Sequence, residues 1–64
     1  MKFEEHWAIA RQTKDCGVYD RAVNGMIQSA TNKDQHNAAI NLSLNGKTPN
    51  VIETLDKITE YKEE

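Results

Sequence analysis

Three side chains suited to nucleophilic or metal chemistry occur in this sequence, His6, Cys16 and His36, and none stands at a spacing that defines a site. Cys16 precedes Gly17 and a strongly amphipathic segment, where unpaired helix N–H groups favour a thiolate. A nucleophilic cysteine also needs a base that faces it, and both histidines fall in other predicted helices. Cys16 therefore reads as a small, partly buried residue at a helix junction. His6, Cys16 and His36, with Asp15 or Asp34, include enough ligand types for zinc or iron. No pair of them, however, sits at the i, i+3 or i, i+4 spacing that one helix would use. Glu4 and Glu5, or Glu60, Glu63 and Glu64, lack the buried setting that separates two carboxyl pKa values. Gly17, Gly25 and Gly46 are isolated, so there is no phosphate-cradling loop. We expect no enzyme, with no catalytic residue, no cofactor and no metal.

At 64 residues, with one cysteine and a formal charge of -2, the chain is expected to form a single small domain. An intrachain disulfide is impossible, and a cysteine-rich zinc site is excluded. The core candidates are Phe3, Trp7, Ile9, Val18, Tyr19, Val23, Met26, Ile27, Ile40, Leu42, Leu44, Val51, Ile52, Leu55, Ile58 and Tyr61. So small a core points to reinforcement by self-association or a partner. The start lacks the apolar core of a signal peptide, and no apolar run approaches a membrane helix. The expected setting is cytoplasmic, in a bacterium or its host cell, with no membrane partner. The sequon Asn41-Leu42-Ser43 is a chance match in that setting.

The elements follow from periodicity. Phe3, Trp7 and Ala10 at i, i+4 and i+7 predict a helix over 2–15, with Gly17 as its stop. Val18, Tyr19, Ala22, Val23, Met26, Ile27 and Ala30 lie on one face of a second helix. Gly25 is a weak spot there, explained either by a close crossing or by accident. Asn32 reads as the cap of a third helix with Gln35 as the returning side chain. Ile40, Leu42 and Leu44 alternate as a strand would, but a lone strand has no partner in this chain, so helix through about 44 is preferred over an intersubunit strand. Asn45-Gly46-Lys47 breaks the chain. Thr48-Pro49 then caps a last helix to about 61, carrying Val51, Leu55, Ile58 and Lys62, while Glu63 and Glu64 should fray. The predicted fold is all-α, a compact bundle of about four short helices in a single domain spanning 1–64.

Binding is the function class left open. Residues 1–33 hold five basic against four acidic side chains, a net of +1, and residues 34–64 hold three against six, a net of -3. Arg11, Lys14 and Arg21 flank the Cys16-Gly17 junction as a basic patch for nucleic acid, a reading that the negative total charge disfavours. Trp7, Tyr19, Met26 and Tyr61 are types enriched at protein interfaces, and Leu44 and Ile9 sit at the edges of their helical faces. The expectation is a small protein-binding module, adaptor or inhibitor, self-associating as a homo-oligomer and of a kind encoded by phages or mobile elements. Its candidate contacts are Trp7, Arg11, Lys14, Tyr19, Arg21, Leu44 and Tyr61. A nucleic-acid accessory protein is the first alternative.

Asn37-Ala38-Ala39-Ile40 resembles a short stretch near the end of a helical-hairpin family of phage proteins that sequester cyclic nucleotide signals. The match covers four of the 64 residues. That resemblance implies a small oligomeric sponge, in which helix ends and Arg or Lys side chains from several subunits hold the phosphates.

Overall fold

Three of the four helices of the computed structural model, which describes residues 1–61, begin at a side chain that accepts from a free N–H group. Helix α1 (Phe3–Gln12) has no side-chain cap at Lys2; the Lys2 backbone N–H donates to Glu5 Oε1 at 2.9 Å and the Lys2 carbonyl accepts from the Glu5 N–H at 3.1 Å. Asp15 caps α2 (Cys16–Ser29), accepting from the Val18 N–H at 3.0 Å. Asn32 caps α3 (Lys33–Asn45) through the Gln35 N–H at 2.9 Å, while Gln35 Oε1 reaches back to the Thr31 N–H at 2.9 Å. The returning side chain thus lands one residue earlier than the cap itself. Thr48 caps α4 (Pro49–Thr59), with proline where its missing N–H costs nothing.

The boundary between α1 and α2 departs from expectation. Gly17 is not a stop for α1, which ends at Gln12 with the Thr13 N–H on the Ile9 carbonyl; it is the second residue of α2. The cap at Asp15 outcompetes a glycine closure two residues later. The alternating stretch from Ile40 to Leu44 is helix, ended by Gly46 at φ 75, whose N–H donates to the Leu42 carbonyl. At the far end α4 closes on Glu60, a non-glycine residue at φ 55 and ψ 37. Lys62, Glu63 and Glu64 lie outside the described residues.

The architecture is all-α. Helices pack on their chain neighbours, α1 against α2 most extensively, and α1 also meets α4, which closes the ring. Phe3, Trp7, Val23, Met26, Leu42 and Leu55 form the centre, with Ala10, Ala22, Ala38 and Ala39 as the small residues that let the helices approach. Ile9 and Leu44, at the edges of their helical faces, are exposed. Gly25 has a structural reason: a Cβ there would overlap the imidazole of His6 on α1, so a side chain, not a crossing backbone, occupies the space. No described helix is long and apolar enough to cross a membrane.

Candidate functional site

The side chains proposed as contacts separate into structural and exposed sets. Trp7 is fully buried, which removes it from any surface. Its indole Nε1 donates to Asp56 Oδ1 at 3.0 Å, and Arg11 Nε donates to the same oxygen at 3.1 Å while Arg11 Nη2 reaches Oδ2 at 3.3 Å. The Arg11 guanidinium also lies 4.6 Å from the Tyr61 ring centroid, and the Tyr61 hydroxyl accepts from Gln12 Nε2 at 2.6 Å. Trp7, Arg11 and Tyr61 therefore meet, but in a network that fastens α4 to α1. The carboxylate at its centre, Asp56, carried no signal in the sequence because its partners lie 45 and 49 positions away.

Arg11, Lys14 and Arg21 are not one basic patch. Arg11 is held by Asp56, Lys14 lines a hollow of about 420 Å³ with Cys16, Tyr19 and Lys47, and Arg21 lies beside Met1, His6 and Ile9 on another side. In the first hollow, the Lys47 ammonium donates to the carbonyls of Arg11 and Thr13 at 3.3 and 3.1 Å, which places a cation at the negative end of α1. The Tyr19 hydroxyl donates to the Leu42 carbonyl at 3.0 Å. Burial, and then the charge of Asp20, push the Tyr19 phenol above its ordinary pKa. Both residues are thus tied to neighbouring helix ends. Cys16 is exposed, and no group of three His, Cys, Asp or Glu side chains able to hold a metal occurs among the described residues.

A different surface has side chains to spare. Between α3 and α4 runs a groove formed by two adjoining hollows of about 120 and 390 Å³, which share Ala38, Asn41 and Thr54. Its apolar lining is Ala38, Val51 and Ile58, and its polar lining includes Asn37, Asn41 and Asn50. The small side chain of Ala38 leaves room between the two helices. Among the described residues, no hydrogen bond engages the side-chain amides of Asn37, Asn41 or Asn50. At one end stand Asp34 and Lys57, the latter paired with Glu53 at 3.1 Å.

Asparagine weakens a helix interior by roughly 0.7 kcal/mol relative to alanine, because its side chain competes for backbone groups. Three of the thirteen residues of α3 are asparagine, Asn37, Asn41 and Asn45, spaced at i, i+4 and i+8. That spacing was visible in the sequence. Its meaning needed the position of α4, which makes Asn37 and Asn41 part of one wall of a groove; Asn45 lies outside that lining. Comparison with protein families, characterised proteins and solved structures finds no match to this chain.

Proposed function

We propose that this chain is a small protein-binding module, an adaptor or inhibitor acting in the cell interior, whose contact surface is the groove between α3 and α4. The observation that supports this reading is the pairing of an apolar floor with side-chain amides that have no partner among the described residues. Interfaces combine such a floor with polar groups that take up hydrogen bonds on association. The amides otherwise bring α3 only a cost in helix propensity. A nucleic-acid surface would instead gather cations, and Arg11, Lys14 and Arg21 point to three different surroundings.

Site-specific photocrosslinking tests the proposal. A benzophenone amino acid is placed at Thr54, in the groove, or at Arg21, outside it, and the protein is irradiated in extract of its source cell. A discrete protein adduct from position 54, resistant to nuclease and absent from position 21, is the expected result. Adducts from position 21 alone, or a product at position 54 that nuclease destroys, overturn it.

A further inference from the structure

We infer that the occupant of the α3–α4 groove is an extended peptide segment, read through its main chain and lying along α3; this inference rests on the protein-binding reading above. A side-chain amide offers one acceptor and two donors, the match of a peptide group with its own N–H and C=O. The amides of Asn37 and Asn41, which line the groove, stand four helical residues apart, a rise of about 6.0 Å. An extended chain presents equivalent peptide groups every second residue, about 6.4–6.8 Å apart. Over this pair of rungs the two repeats differ by less than about 1 Å, which a side chain absorbs. On the opposite wall Asn50 and Thr54 are also four apart. The Thr54 hydroxyl donates to the Asn50 carbonyl at 2.9 Å, which leaves its oxygen free to accept a further bond.

A helical occupant fits less well, since its main-chain groups are already paired within the helix and would leave the amide row unused. Alternate side chains of an extended segment, all on one face, reach the apolar floor instead. Charge sets the direction. Of the lining side chains at the α3 N-terminal end, Lys57 is already paired with Glu53, and Asp34 is exposed and outside the ion pairs of the described residues. The basic residue or free amino terminus of the peptide lies at that end.

The test is an NMR titration of the intact, isotopically labelled protein with a hexapeptide of a leading lysine followed by alternating valine and alanine. A second peptide has the same side chains but N-methyl groups on alternate residues, and a third leads with glutamate. The expected result is movement of the Asn37 and Asn41 side-chain amide resonances at millimolar peptide. Binding should weaken about tenfold on N-methylation and about tenfold in the Asn37→Ala, Asn41→Ala double variant, and a few-fold with leading glutamate. Alanine raises helix propensity at both sites, so the variant keeps its fold. Equal binding of the N-methylated peptide overturns main-chain reading while leaving a protein-binding groove intact. No movement of either amide at millimolar peptide overturns the extended occupant, and a persisting crosslink at position 54 then shows that the partner presents another structure. Unchanged affinity in the double variant likewise sinks the assignment.

Discussion

Trp7 on α1 and Asp56 on α4 are joined by a 3.0 Å hydrogen bond from the buried indole to the carboxylate, and the same carboxylate holds Arg11. Removing it leaves a buried donor without an acceptor and takes one carboxylate away from a partly buried guanidinium. Asp56→Ala should cost about 2–3 kcal/mol. In a domain of this size that lowers Tm by roughly 8–24 °C. Asp56→Asn keeps an oxygen for the indole and should lose about half as much. Thermal unfolding followed by the fluorescence of the single tryptophan checks both, and an alanine variant as stable as the parent would refute the role of this bridge.

Gly25 lies beneath the His6 ring. Glycine to alanine inside a helix ordinarily gains about 1 kcal/mol. Here Gly25→Ala should show little or no gain, because the imidazole must swing out of its seat. In a His6→Ala background the same substitution should recover most of that gain. Urea denaturation of the four proteins measures the coupling, and additive effects would mean that the ring does not hold this position.

At the end of α4, Glu60 adopts left-handed backbone angles that a side chain disfavours. Glu60→Gly should therefore stabilise the fold by about 1 kcal/mol, less whatever extra freedom glycine gives the unfolded chain. Chemical denaturation gives the sign directly. A loss of stability would show that the Glu60 side chain contributes more than its backbone conformation costs.

The raised pKa of Tyr19 links stability to alkaline pH. Burial, with Asp20 second, keeps the phenol protonated in the folded chain beyond its ordinary value of 10.0, so the unfolded chain releases that proton first. The contribution is therefore complete below about pH 10 and is lost as pH climbs through the folded value. Deprotonation also removes the donor to the Leu42 carbonyl. Tyr19→Phe should cost about 1 kcal/mol at neutral pH and flatten the alkaline slope. Stability measured across pH 8 to about 11 distinguishes this from an effect confined to packing.

Much of the fold was legible because its signals are local. Asn32 and Thr48-Pro49 stand next to the helices they start, and the apolar face of α2 repeats without a phase break. Gly17 misled because a cap two residues earlier decided the boundary. The strand-like alternation of Ile40, Leu42 and Leu44 yielded to helix, with Leu42 buried and Leu44 left outside. Contacts between distant positions were not legible. Trp7, Arg11 and Tyr61 carry types common at interfaces, yet they are engaged with Asp56, with Gln12 and with one another. The asparagine row of α3 was present in the sequence, but a row becomes a groove only when a second helix lies beside it.

The meeting of α1 with α4 also has a consequence for how the chain reaches this state. The other principal helix pairings join neighbours in sequence, and such contacts form rapidly. Bringing Trp7 to Asp56 closes a loop of 49 positions, an entropic toll of about 3.5 kcal/mol from the length dependence alone. Of the helix contacts this pairing spans the longest stretch of chain, and the indole sits at its seam. Tryptophan emission during refolding therefore times the shutting of the ring, whereas the growth of the helices is seen in the backbone signal.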